Sequence, residues 1–136
     1  MNEENEENIE KTGIALELVL QLLPKEVRKF IFDNYRLVFL PMSDSPDRYD
    51  TAMIGSGVIY VNDTLWKAEQ IKIAVTVAHE VAHAFTGNVE GGSFFEKYET
   101  EEHRKKDIEM DKLAVEWLSE YYDKPKLIKA CYYWKP

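Results

Sequence analysis

The chain has 136 residues, 45% of them hydrophobic, with 25 acidic side chains against 17 basic ones and a formal charge of −8. That length suits one domain with a core of its own. The acidic balance argues against nucleic acid or an anionic membrane as partner, since both need a basic surface. A lone cysteine, Cys131, rules out an internal disulfide, and the acidic start does not read as a signal peptide, so a reducing, cytoplasmic setting is expected.

Asn2 to Asn8 contain no apolar residue, so residues 1–8 read as a solvated acidic tail and residues 9–136 as a single domain. Apolar side chains at 14, 15, 18, 19, 22 and 23 follow a helical period, and Pro24 punctuates it. That run carries Glu17 and is too short to span a bilayer. Residues 25–32 predict a short second helix with proline in its first turn. Residues 35–40 are the clearest strand, ended by Pro41, and residues 42–50 read as a loop. Residues 51–54 and 58–61 flank Gly55-Ser56-Gly57 and predict a hairpin. Asn62-Asp63-Thr64 offers capping side chains for a helical stretch from Leu65, with a break near Gln70 and an end about Phe85. Residues 87–98 predict a loop, residues 100–122 a long helix, and Pro125 opens a last short one. The expected fold class is α+β, a small antiparallel β-sheet packed on helices.

The run Ile71–Ala78 leads into His79-Glu80-Val81-Ala82-His83. Histidines four apart on a helix share one face, so both imidazoles can reach a single ion. Glu80 projects about 100° around the helix, toward a water on that ion, where a general base belongs. This is the H-E-x-x-H pattern of zinc-dependent peptidases. With three histidines in the chain, shuffling would produce it on the order of one time in a hundred. A buried helix with both rings bonded to backbone is the plain alternative. Gly87 then makes a natural cap.

A four-coordinate zinc needs a third protein ligand and a water. The metzincin arrangement, with glycine and histidine three and six residues past the second histidine, is excluded, because Thr86 and Val89 stand there. The next helix must then supply the ligand. Its apolar face, Met110, Ala114, Trp117, Leu118 and Tyr121, continues backward into Asp111, Asp107 and His103. Inward carboxylates cost several kcal/mol unless paired or bound to a cation. Asp107 reads as the metal ligand and Asp111 as the acceptor that fixes a histidine tautomer; the plain alternative is that this face begins at the domain rim and both aspartates are solvated. Glu109, on the face of Lys112, Glu116 and Glu120, and His103 are the alternatives for the third position.

His79-Glu80-x-x-His83 followed by Asp107-x-x-x-Asp111-x-x-Ala114 resembles the gluzincin metallopeptidases, and among them most looks like the minigluzincins and the ImmA/IrrE-type peptidases. The resemblance covers about residues 35–122. It implies a zincin-like fold with an active-site helix, an equivalent of the clan's glutamate helix, Zn²⁺ as cofactor, and a peptide or protein substrate. Asp107 stands where the clan has glutamate. A SprT-like resemblance would make His103 the third ligand. The minigluzincin resemblance further implies that residues 129–136, rich in aromatics, can block the cleft. Cys131 as a thiolate on zinc is a second inhibitory device to consider, and a buried core thiol is the plainer one.

The expected chemistry is peptide hydrolysis with Glu80 as general base and later proton donor. Strand 58–61 or its hairpin partner is expected to pair with substrate, and Tyr60, Tyr98 or His103 to steady the oxyanion. The competing class is a non-catalytic zinc-binding regulatory or structural protein on the same scaffold.

Overall fold

The computed structural model of the chain describes residues 3–40, 52–55, 57–87 and 101–136, and these are arranged around one helix, α3 (Gln70–Thr86). Ala74, Ala78 and Ala82 recur every fourth residue on it and are fully buried, so neighbouring elements approach its backbone closely. Helices α1 (Glu3–Leu22), α2 (Lys25–Asn34), α4 (Glu101–Leu118) and α5 (Lys124–Ala130) all touch α3. So does strand β2 (Ala52–Gly55). Val19, Leu65, Leu118 and Leu127 are fully buried in the core around it, each contributing about 1.5–3 kcal/mol by leaving water. The helix stops at Gly87, whose φ of 75° and ψ of 11° are left-handed and whose N–H donates to the Ala84 carbonyl. The helical stretch from Leu65 breaks where expected, with a one-turn 3-10 helix at Leu65–Lys67 followed by α3 from Gln70.

Helix α1 begins well before the expected Ile9. Residues 3–8, read as a solvated tail, are helical, and Asn8 is buried. Its Oδ1 accepts from the Trp66 indole Nε1 at 2.8 Å, giving a half-buried donor the partner it needs. One turn on, the Thr12 hydroxyl donates to the Asp63 carbonyl at 2.7 Å, and Lys11 lies 4.3 Å from the Trp66 ring centre. These contacts join α1 to a turn more than fifty residues away, which local composition cannot foresee. That turn is closed by Asn62, whose Oδ1 accepts from both the backbone N–H and the hydroxyl of Thr64.

The sheet order is β1 (Arg36–Leu40), β3 (Val58–Asn62), β2. The hairpin β2–β3 is antiparallel as expected, with Ala52 opposite Val61 and Gly55 opposite Val58. The expectation of an all-antiparallel sheet is corrected: β1 pairs with β3 in parallel, Arg36 opposite Val58 through Leu40 opposite Asn62. The chain leaves β1, enters the sheet at the far edge as β2, and returns between them, so β3 runs in the direction of β1. A tight turn dictates only the hairpin partner; the β1 partner is a tertiary choice. The class is α+β with a mixed sheet.

Pro24 is the N-cap of α2 rather than a first-turn residue, and α5 carries Pro125 in its first turn. No described helix is long and apolar enough to cross a membrane. The loops expected at 42–50 and 87–98 fall on or run into residues outside the described ones.

Candidate metal centre

His79 and His83 lie one turn apart on α3, and Asp107 faces them from α4. His83 Nε2 is 3.2 Å from His79 Nε2 and 2.9 Å from Asp107 Oδ1, and His79 Nε2 is 3.2 Å from the same oxygen. Ligand atoms at about 2.0–2.1 Å from a tetrahedral zinc lie roughly 3.3 Å apart. The triangle therefore has nearly the size that such an ion would span. Among the described residues, these three form the one group of histidine, cysteine and carboxylate side chains able to hold a metal ion; which metal is not fixed by the geometry.

Hydrogen bonding decides what the triangle presents. Asp111 is buried, and its Oδ1 lies 2.7 Å from His79 Nδ1. Its Oδ2 accepts from the backbone N–H groups of Tyr133 at 2.8 Å and Trp134 at 2.9 Å. With Nδ1–H donated to Asp111, the lone pair of His79 Nε2 points at Asp107 and His83. His79 Nε2 and the Asp107 carboxylate then face each other as acceptors, and a proton or a cation between them relieves this. Without a metal a proton takes the place. Burial opposes charge on His79, yet the hydrogen bonds to Asp107 and Asp111 and the charge of Glu80 raise its pKa to about 10. Burial likewise acts to raise the Asp107 pKa, and the hydrogen bonds to His79 and His83 override it, bringing it down to about 2. Asp111 is lowered despite its burial, by His79 and the two backbone donors.

Glu80 is half-buried beside this cluster and makes no side-chain hydrogen bond among the described residues. Burial is the main cause raising its pKa; His79 and His83 pull the other way, and the two aspartates add to the rise. A carboxylate pushed upward and not held by another side chain is chemically suited to accept a proton.

The remaining candidates fall away from the triangle. Glu109 is exposed, with Lys112 at 3.4 Å. His103 is partly buried near the start of α4 and is not part of the group. Cys131 is fully buried, its thiol pushed up to about 12 chiefly by burial, so the thiolate reading is set aside in favour of a core thiol. Tyr60 sits on the central strand β3, and Tyr98 lies outside the described residues.

The aromatic ending 129–136, expected to be able to block the cleft, brings one ring to the site, though which ring was not legible. The Tyr133 ring stacks on His79, with centroids 5.4 Å apart and planes 20° apart. Lys72 steadies this segment, donating to the Ala130 carbonyl at 2.9 Å and lying 5.6 Å from the centre of the Tyr132 ring. The aromatic run 132–134 was the available signal; which ring meets which ligand is set by α5.

No family model matches the chain, and the searches of curated proteins and of solved structures return no match.

Proposed function

We propose that the chain is a zinc-dependent peptidase of gluzincin type, with His79, His83 and Asp107 as ligands and Glu80 as general base. The observation that carries this reading is the convergence of three potential ligand atoms, 2.9–3.2 Å apart, beside a carboxylate that no side-chain hydrogen bond holds among the described residues. Two imidazoles with one carboxylate favour zinc over the hard cations magnesium and calcium, which take oxygen ligands. Bound zinc would supply Lewis-acid polarisation of a water and of a carbonyl. Glu80 takes the proton of the attacking water and returns it to the leaving amine, and its raised pKa suits both halves of that exchange. Asp111 holds the His79 ring in the tautomer that frees Nε2. The aspartate that replaces the clan's glutamate is reached because α4 packs closely on α3.

An extended peptide substrate would add to the sheet at β2. Central β3 has both edges paired, whereas β2 is an edge strand among the described residues and touches α3. A hairpin edge beside the H-E-x-x-H helix, with a second helix bearing the acidic ligand, is consistent with a zincin-like arrangement.

The Tyr133 ring on His79 favours a second reading, a zinc-binding protein that is latent or without turnover. One set of measurements separates the two. Metal content and cleavage of unfolded casein are compared in wild type, Glu80→Gln and Tyr133→Ala. Zinc retained with cleavage lost in Glu80→Gln supports the peptidase. Cleavage that appears only in Tyr133→Ala marks a latent form. Inert protein throughout, with zinc raising Tm in all three, supports the non-catalytic reading.

A further inference from the structure

On the side of the fold built by α1, α2 and β1, the surface is unusually apolar for so acidic a chain. Phe32 is 87% exposed, Ile14 55% and Leu18 49%. Beside them runs a groove of about 740 Å³ walled by Leu20, Phe32 and Leu37. Exposed apolar surface gathered in one place marks a contact site rather than scatter.

The charges on this face show what it fits. Glu10, Ile14, Glu17, Leu18 and Gln21 fall within about 100° of arc on α1 and form a convex ridge with two exposed acids. The groove lies between this ridge and α2: Glu17 and Gln21 line it on the α1 side, and exposed Lys25, Arg28 and Lys29 line it on the α2 side. Lys29 is engaged by Asp33 at 2.6 Å, while Lys25, Arg28, Glu10 and Glu17 have no ion pair among the described residues. One surface thus presents an acidic apolar ridge along α1 and, across the groove from it, a basic wall along α2. The two are opposite in sign, yet Glu10 and Glu17 form no ion pair with Lys25 or Arg28 among the described residues.

We infer that this face pairs with the same face of a second copy, the α1 ridge of each copy lying in the α2–β1 groove of its partner. A two-fold interface needs a self-complementary patch, residue i meeting j and j meeting i. Here Ile14 and Leu18 would cover Phe32 and Leu37, and Glu10 and Glu17 would meet Lys25 and Arg28. Two chains of net charge −8 repel at a distance, so local opposite charge at the contact is what association requires.

The test is a pair of charge-reversed chains, one carrying Glu10→Arg with Glu17→Arg, the other Lys25→Glu with Arg28→Glu. Sedimentation equilibrium at high micromolar concentration should give wild type twice its 15.9 kDa mass. Each reversed chain alone should be monomeric, since its ridge and groove now share a sign. Mixed in equal amounts they should recover the dimer, because both ridge–groove contacts are then complementary. Phe32→Glu should be monomeric in any mixture. All these positions are exposed, and circular dichroism checks that the variants fold. Monomeric wild type overturns the inference and leaves the face to a different partner. Reversed chains that dimerise alone, or fail to pair when mixed, overturn it equally.

Discussion

Replacing Asp111 by asparagine keeps the shape of the side chain and removes one acceptor, which makes it a sharp probe of the site. The carboxylate receives three N–H groups, from His79 Nδ1 at 2.7 Å and from Tyr133 and Trp134 at 2.8 and 2.9 Å. An amide has one oxygen and one donor end. With its oxygen on the two backbone donors, its NH₂ faces His79 Nδ1, and two donors oppose each other. The ring escapes by moving its proton to Nε2, which then has no lone pair for a metal. Losing one charge-assisted hydrogen bond costs about 1.5–3 kcal/mol. Removing a carboxylate that orients a liganding histidine typically weakens metal affinity about 10–100-fold, or roughly 1.4–2.7 kcal/mol. Zinc affinity is read by competition with a chromophoric chelator, and Tm of the metal-free protein by differential scanning calorimetry. Asp111→Asn should fold with a lower Tm and bind zinc at least tenfold more weakly. A variant that keeps wild-type affinity refutes the tautomer argument, whatever its Tm.

Asp107→Ala should lose stoichiometric zinc, whereas Glu109→Ala, whose side chain is exposed beside Lys112, should retain it; metal analysis after gel filtration decides, and the reverse pattern would reassign the third ligand. Chelator-treated protein should show a stability plateau in mild acid. His79, raised from 6.5 to about 10, adds stability fully present below 6.5 and lost as pH rises through about 10. Asp107, lowered from 3.8 to about 2, adds stability present above 3.8 and lost as pH falls through about 2. Tm against pH should therefore be highest between these limits, and Asp107→Asn should flatten the curve on both sides. Gly87→Ala places a β-carbon at a φ of 75° with nothing within 4 Å, so its cost is conformational alone, about 1 kcal/mol, measured by urea unfolding; a loss several times larger would mean that the turn after α3 is packed more tightly than this.

Most elements were legible because their signals are local. The break before Gln70, the glycine that ends α3 and the hairpin about Gly57 each depend on residues within a few positions of one another. The spacing of His79 and His83 is of the same kind, since a helix alone places both rings on one side. Asp107 and Asp111 were legible for a related reason. Carboxylates on the inward face of a helix require a partner, and the helix period shows which ones are inward.

What the sequence determined by itself, then, was the set of helices and strands, the imidazole pair and the inward aspartates, all consequences of backbone period and side-chain type. Tertiary structure alone decided that β1 lies parallel to β3, that Asn8 is buried against Trp66, and that the Tyr133 ring stacks on His79. These pairings join positions from 22 to 58 residues apart in the chain. Their energy comes from groups that meet only once the core has closed, so no window of neighbouring residues carries the signal.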